Sequence, residues 1–174
     1  MAKIAQRQVL AEVFPSNFAN NSKQQTNVQA NLPKFQGFRF AQVSGGEITA
    51  SVEKIYEGGK SRPTVLCAPS EIGDITLTAH FDDDYTASDT YTGIAEKLQR
   101  LRKYVGVAYY NIIVSVYDCD IKDPTNDRFY YDALLVGMTE PEGDSSSGAP
   151  ATFALTFAIS DVAPTPRAST GSAA

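Results

Sequence analysis

The residue types that most often perform catalysis are sparse in this sequence. Its one histidine, His80, falls on the polar side of a strand-like run, where a lone histidine is usually a surface residue. Cys67 and Cys119 both lie in apolar runs, which predicts buried, reduced thiols rather than reactive nucleophiles. The sequence contains no GxSxG, HExxH, Walker or GxGxxG motif. We therefore expect neither an enzymatic activity nor a bound cofactor.

Two acidic clusters were considered as metal sites. Residues 82–84 are three consecutive aspartates, and consecutive strand residues cannot all face one ion. The run 118–127 begins like a calcium loop, with Asp118 and Asp120 two positions apart. Lys122 stands where the next ligand belongs, and the loop lacks the glycine of the sharp turn. The run is more typical of a turn between two strands, so we predict no metal site.

Charge is unevenly distributed along the chain. The net charge is −5, with a balance of +4 in residues 1–40 and −9 in the remainder. A grip on nucleic acid requires clustered Lys and Arg, so the acidic body argues against specific nucleic-acid binding. It does not exclude a surface that nucleic acid passes without adhering. No apolar run approaches the roughly 20 residues that span a bilayer, and the first residues do not form a secretory signal. We expect synthesis in a cytoplasm and no membrane partner.

Strand patterns dominate the chain. Residues 152–160 alternate between large apolar side chains and small polar ones, and residues 75–80 do the same. The polar sides carry small hydroxyls and alanines where a solvated strand usually carries Lys and Glu. One helix is predicted from Ser88, as its N-cap, to Gly106, with an apolar stripe at 3.6-residue spacing. Its solvated side is predicted to carry four basic residues towards the C-terminal end: Lys97, Arg100, Arg102 and Lys103. The fold class is mainly β with one α-helix, as an antiparallel β-sandwich or half-barrel.

The chain divides into three predicted segments. Residues 1–36 form a polar N-terminal arm, which we expect to become ordered only on polymerisation. Residues 37–162 form the β-sandwich domain. Residues 163–174 form a flexible tail.

The order of elements in residues 37–162 resembles the tail tube proteins (major tail proteins) of long-tailed bacteriophages. The resemblance rests on the run AQVSGGEITASVEKIYEGGKSRPTVLCAPSEIGDITLTAHFD, the helix after it, and the closing run YYDALLVGMTEPEGDSSSGAPATFALTFAIS. It covers about three quarters of the chain. The polar stretch up to about Asn31 departs from the pattern.

The resemblance implies a structural virion protein. Such proteins form hexameric rings that stack into a hollow tail tube, and their strands join into one large inner barrel through which the genome passes. It implies self-association, a tape-measure protein and tail terminator or initiator proteins as partners, DNA that passes without specific binding, and a location in the virion tail after assembly in the host cytoplasm.

Two sets of residues follow from the strand pattern and the resemblance together. The candidate lumen-facing residues are Glu47, Thr49, Ser51 and Glu53. The candidate ring-stacking or inter-subunit residues are Glu57, Gly58, Gly59 and Lys60 in one loop, and Glu140, Glu142, Asp144 and Gly148 in another.

Two other interpretations stay open at the level of sequence. The first is a monomeric β-sandwich module that binds carbohydrate or protein, for which the paired tyrosines at 109–110 and 130–131 could serve as platforms. The second keeps the tube fold in a different machine, such as a contractile tail, a secretion system or a phage-like injection particle.

Overall fold

Strands form most of the described part of the chain. The structure is a computed structural model that describes residues 8–16, 31–35, 39–59, 61–80, 93–117, 124–142 and 151–163. The strands are β1 (Gln8–Pro15), β2 (Gln42–Gly45), β3 (Ile48–Ala50), β4 (Lys54–Ile55), β5 (Thr64–Val65), β6 (Ser70–Ile72), β7 (Ile75–His80), β8 (Tyr109–Tyr117), β9 (Pro124–Glu142), β10 (Thr152–Ala158) and β11 (Asp161–Ala163). Helix α1 (Ile94–Leu101) and a 3₁₀ turn (Arg102–Tyr104) lie between β7 and β8. The predicted class, mainly β with one helix, is confirmed.

Seven of these strands form one antiparallel sheet that curls on itself. Its order is β1-β8-β9-β10-β7-β2, and β11 also pairs with β9. The two ends of this path approach each other, because Ala11 of β1 and Phe40, just before β2, exchange two backbone hydrogen bonds of 3.0 and 2.9 Å. The sheet is therefore a curled half-barrel, as predicted.

Alternation decides which side chains enter this half-barrel. In β7, Ile75, Leu77 and Ala79 are buried, whereas His80 is exposed. In β10 the odd-numbered side chains are buried in the same way, and Leu155 lies directly opposite Leu77. The predicted inward and outward faces of both strands are confirmed.

The interior is filled largely by aromatic rings. The rings of Phe40 and Phe153 meet edge to face with centroids 5.8 Å apart, and those of Tyr110 and Phe157 do so at 5.9 Å. All four residues are fully buried. The Tyr110 hydroxyl donates a hydrogen bond of 3.2 Å to the backbone oxygen of Pro33, so the polar atom that this ring brings inside has a partner.

Part of the predicted N-terminal arm belongs to the main sheet. Strand β1 pairs with β8 along all eight of its residues, and Ala11 and Val13 are fully buried. These two residues alternate with Glu12, which is a short strand pattern. The predicted boundary at residue 36 did not take this pattern into account. Residues 17–30 and 164–174 lie outside the described residues, so the rest of the domain division remains a prediction.

A bulge in β9 fastens the end of β1 to the sheet. Asp132 has a positive φ of 52° and sits where the β8–β9 register shifts. Its backbone N–H donates to the Asn111 side-chain oxygen at 3.1 Å, and its carboxylate accepts a hydrogen bond from the Ser16 hydroxyl. Aspartate tolerates this backbone region better than most residues, and the bulge turns its carboxylate towards the residue that follows β1.

Helix α1 packs its apolar stripe on the interior. Ile94, Leu98 and Leu101 are buried, and Gly106 ends the helical segment with a φ of +84°. The helix begins at Ile94 with Gly93 at the N-cap position, whereas the predicted cap, Ser88, lies outside the described residues.

Lys97 lies on the buried side of α1 rather than on its basic surface. Only 7% of the residue is exposed, and this burial lowers the pKa of its ammonium group from the ordinary value of 10.5. Counting Lys97 with the solvated basic residues was therefore wrong. Its aliphatic stem continues the stripe of Ile94, Leu98 and Leu101, as long cationic side chains often do.

Lys97→Met should remove a pH dependence of stability. The unfolded chain binds the Lys97 proton more tightly than the folded chain. The free energy of unfolding should therefore rise as the pH increases from the lowered, folded-state pKa towards 10.5. Urea titrations at pH 7, 9 and 10 should show this rise in the wild type and a smaller one in the variant. Equal slopes in both proteins would contradict it.

Gly45→Ala should be costly for a reason specific to its position. Gly45 has a φ of +84°, and a Cβ atom there would lie 2.0 Å from the Asp74 backbone oxygen. Gly59 has a similar φ of +87° but no atom within 4 Å of its Cβ position. We expect Gly59→Ala to lose at most the left-handed backbone penalty of roughly 1–2 kcal/mol, and Gly45→Ala to lose clearly more. Urea unfolding of the two variants gives the comparison, and equal losses would argue against the close approach.

Candidate functional site

Of the candidate residues for catalysis and metal binding, those that the structure describes do not assemble into a site. His80 is exposed at the end of β7, and Asp127 is half-buried in β9. Residues 82–84 and 118–123 lie outside the described residues. Within the described residues, no group of three or more His, Cys, Asp or Glu side chains could hold a metal ion, and no helix is long and apolar enough to cross a membrane.

Cys67 corrects one prediction from the sequence. It is a free cysteine, as predicted, but it is exposed rather than buried. The apolar run around it, which includes Val65 and Leu66, is exposed too. The prediction failed because an apolar strand that lacks a covering layer has the same sequence pattern as a buried one. Cys119 lies outside the described residues.

The exposed run belongs to a long β-hairpin that continues beyond the main sheet. Strands β2 and β7 pair in the sheet, β3 and β6 continue the same register, and β4 and β5 follow after a slip of one residue. Two hydrogen bonds join the first two ladders, from Gly46 N–H to the Asp74 oxygen and from Gly73 N–H to the Glu47 oxygen. A third, from Leu66 N–H to the Glu53 oxygen, lies between the second and third ladders. We call residues 47–74 the projecting hairpin. Nine residues from Glu47 to Ile55 span about 30 Å in strand geometry.

The projecting hairpin carries most of the apolar surface that the described residues leave exposed. Six of the nine exposed large hydrophobic residues in the described part of the chain lie on it: Ile48, Val52, Ile55, Tyr56, Val65 and Leu66. Ile48 is 60% exposed and Tyr56 is 74% exposed. Because exposed apolar side chains are concentrated on this one element, the projecting hairpin is a candidate interaction site.

The four candidate lumen residues lie on this hairpin and not in the main sheet. Glu47, Thr49, Ser51 and Glu53 are all exposed. Thr49 pairs with Glu71, whereas Ile48 pairs with Ile72, so paired residues separate into a polar and an apolar face. Their assignment to a lumen remains a prediction.

The candidate stacking residues occupy two places in the fold. Glu57, Gly58 and Gly59 form the exposed tip of the projecting hairpin, and Lys60 lies outside the described residues. Glu140 lies in β9 and forms an ion pair with Arg102 of the 3₁₀ turn. Glu142 is the last residue of β9 and pairs with Thr152, whereas Asp144 and Gly148 lie outside the described residues. The structure therefore separates the two sets.

A row of small residues crosses the outer face of the main sheet. Ser44, Thr76, Thr156 and Gly137 follow one another on four adjacent strands. The hydroxyls of Thr76 and Thr156 are 3.2 Å apart and hydrogen-bonded. A Cβ atom on Gly137 would lie 3.4 Å from the Thr156 Cβ, so this position has little room for a side chain. This row is uncharged and made of small residues on four adjacent strands, as the alternation in residues 152–160 suggested.

Sequence reasoning missed a second exposed surface, beside α1. Val107 and Val136 are each 41% exposed, and the hydrogen bond of 2.7 Å from Gly106 N–H to the Leu135 oxygen joins their neighbours. Arg102 and Lys103 are exposed in the adjoining 3₁₀ turn. Val136 follows the buried Leu135 and lies on the outer side of β9, beside a shift in the β9–β10 register. Whether another layer covers an outward-facing valine is not encoded in the local sequence pattern.

Comparisons with known proteins bear on the fold. Neither the protein-family models nor the curated proteins that were searched match the sequence. Among solved structures, the chain is similar to one from the six-fold symmetrised cryo-EM structure of the anti-feeding prophage baseplate. The TM-score is 0.60 at 18% identity, over 91% of this chain and 92% of that chain.

Two structures from an extracellular contractile injection system, PVC, are also similar. A chain of the sheath/tube terminator in the extended state gives a TM-score of 0.57 at 14% identity, over 90% of this chain and 91% of that one. A chain of the sheath-tube complex in the extended state gives 0.54 at 17% identity, over 83% and 97%. The chain therefore has a fold of the tail-tube type, shared with chains of prophage and contractile-injection-system assemblies.

Proposed function

We propose that this chain is a structural subunit that polymerises as stacked, hexameric rings into the hollow tube of a phage tail or a phage-like injection particle. The fold, shared with chains of a sheath-tube complex and a baseplate, supports a tube-type role. In a phage the tube is the conduit for genome delivery. Six copies per ring is the number that the family resemblance implies.

The observation that carries this proposal is the projecting hairpin. Its six large apolar side chains are exposed in the single chain. At about 25 cal/mol per Å², covering such side chains is a substantial driving force for association. Both long edges of the hairpin have backbone groups outside its own ladder, which are a template for pairing with another chain. A second copy of the same chain can cover these apolar side chains and pair with these backbone groups. Repetition of that contact produces a closed ring or an open stack.

The polar surfaces fit the wall of such a tube. The small, uncharged outer face around Thr76 and Thr156 and the polar face of the hairpin, with Glu47 and Glu53, present no clustered cations. A polyanion gains affinity by displacing counterions through Lys and Arg contacts. A wall of this composition lets DNA pass without binding it.

The remaining partners follow from the family resemblance. A tape-measure protein occupies the lumen during assembly, and terminator and initiator proteins bound the tube at its two ends. One similar solved structure is itself described as a sheath/tube terminator. The proposed location is the tail of the particle, after assembly in the host cytoplasm.

Self-assembly is the first expectation to test. Purified protein at rising concentration should form hollow rings or tubes in negative-stain electron microscopy, with a matching rise of mass in light scattering. The double variant Ile55→Ser with Val65→Ser should assemble poorly, because it removes apolar area from the projecting hairpin. Its free energy of unfolding should change by only about 0.5 kcal/mol, since both side chains are already exposed.

Val9→Ser provides the control for this experiment. Val9 is an exposed valine of β1, outside the projecting hairpin, at 37% exposure. It should leave assembly unchanged. A wild-type protein that stays at about 19 kDa at every concentration, even when seeded with tail initiator complexes, would argue for the monomeric binding module instead.

Charge on the polar face of the hairpin should affect DNA passage. Particles built with Glu47→Lys and Glu53→Lys should eject DNA several-fold more slowly, because lysines lining a lumen would bind phosphates. The matched variant with Glu47→Gln and Glu53→Gln removes the same charges without adding cations and should eject at nearly the normal rate. Dye-reported ejection from equal numbers of assembled particles measures both. An unchanged ejection rate in the lysine variant would contradict the assignment of these residues to the lumen.

A further inference from the structure

The projecting hairpin meets the main sheet at residues 45–47 and 73–74, which we call the joint. The pairing of β2 with β7 ends on one side of the joint, and the pairing of β3 with β6 begins on the other. Three of its five residues are glycines: Gly45, Gly46 and Gly73. Glycine inside paired strands marks a bend or a bulge, because no side chain restricts its backbone.

The hydrogen bonds of the joint depart from a regular ladder. Gly46 N–H donates to the Asp74 oxygen at 3.1 Å, and Gly73 N–H donates to the Glu47 oxygen at 2.8 Å. In the register that β2–β7 and β3–β6 share, these two bonds belong to neighbouring residue pairs. A regular antiparallel ladder forms its bonds in every second pair. Regular pairing is therefore interrupted at the joint, where Gly45 and Gly46 have φ values of +84° and +72°.

Burial changes abruptly across the joint. Gly46 is buried, whereas every residue from Glu47 to Gly59 is exposed. Among the described residues, the four strands of the hairpin contact one another in pairs and make only marginal contact with the main sheet and α1. The backbone of the joint, rather than side-chain packing, therefore fixes the direction in which the described hairpin points.

The core backs one strand of the joint. Tyr130 is 2% exposed, and a Cβ atom on Gly46 would lie 2.9 Å from its hydroxyl oxygen. On the other strand, a Cβ atom on Gly73 would have the Cγ of Glu47 as its nearest neighbour, at 3.4 Å. The joint therefore meets a buried ring on its inner side, whereas Gly73 meets an exposed side chain of the hairpin itself.

We infer that the joint is a hinge about which the projecting hairpin swings relative to the half-barrel, and that the Tyr130 hydroxyl limits the swing towards the core. A hinge needs a few residues at the ends of elements that absorb changes of φ and ψ, and glycine does so at the lowest steric cost. At about 3.3 Å per residue, a rotation of roughly 20° at the joint moves Ile55 by about 10 Å. The hinge is a property of the single chain and does not depend on the proposed self-assembly.

Distances between two spin labels measure the swing in the monomer. One label is placed on Cys67, the exposed cysteine of the hairpin, and the other on Thr139→Cys, an exposed position of β9, with Cys119→Ser. Double electron–electron resonance on gel-filtered monomer should give a broad distance distribution. The reference pair is Gln42→Cys with Thr139→Cys, both on the main sheet and with both native cysteines replaced by serine, and it should give a narrow one. A hairpin distribution no broader than the reference would overturn the hinge.

Substitutions at Gly73 locate the motion at the joint. Gly73→Ala introduces a side chain without a severe contact, and Gly73→Val restricts the backbone further because it is β-branched. Both should narrow the hairpin distribution, valine more than alanine. Gly58→Ala, a control at the tip of the hairpin with open space around its Cβ position, should leave the width unchanged. A broad distribution that neither Gly73 variant narrows would place the motion elsewhere in the hairpin and overturn the inference.

Tyr130→Phe tests the limit on the swing. The variant keeps the buried ring and removes only the hydroxyl that lies against Gly46. It should broaden the distribution beyond that of the wild type, opposite in direction to the Gly73 variants. An unchanged distribution in folded Tyr130→Phe would contradict the role of the hydroxyl. Because only monomer is measured, these outcomes are independent of whether the wild-type protein forms tubes.

Discussion

The structure depends on filling a narrow, curled interior with large rings. A sheet that curls until Ala11 and Phe40 share hydrogen bonds presents one face of every strand to the same enclosed space. Phe40, Phe153, Phe157 and Tyr110 occupy that space and contact one another edge to face. Because a packed protein interior tolerates little change of volume, these rings constrain the strands that carry them. Even the outer face is affected, since the alternation that sends phenylalanines inward sends threonines and alanines outward.

In the projecting hairpin, by contrast, the large apolar side chains are exposed. Where β2 and β7 leave the half-barrel, the same two chain segments continue as a pair without a second layer against them. Gly45 and Gly46 mark the transition, both with positive φ. Within the sheet, Val43 and Leu77 pack on the core. Beyond the glycines, Ile48 has no such neighbours and is exposed. One continuous hairpin therefore contains both an edge of the folded core and apolar side chains that are exposed in the described structure.

The alternation of residue types was enough to predict the core strands. The period-two patterns in residues 75–80 and 152–160 identified β7 and β10 and their inward faces, and the stripe at Ile94, Leu98 and Leu101 identified the helix. The main failures concern whether another layer covers a strand, not the spacing of the apolar residues along it. Residues 48–66 have the pattern of buried strands, but burial depends on whether another layer exists, which a local pattern does not encode.

Two other features of the chain were also missed from the sequence. Lys97 was assigned to solvent because of its residue type, although its position in the stripe places it inside. The exposed surface of Val107 and Val136 beside α1 was missed because a local pattern does not show whether an outward-facing side chain is covered. Resemblance to a family predicted the fold, whereas the identity of the exposed surfaces required the structure.

The way the projecting hairpin is attached has a mechanical consequence. Both of its strands are covalently continuous with the half-barrel, one through β2 and the other through β7. A pull on its tip is therefore carried along two backbones in parallel and does not peel its ladders apart, although those ladders are short and interrupted. Under the proposed self-assembly, a load on the hairpin of one subunit would therefore reach the body of that subunit through covalent bonds.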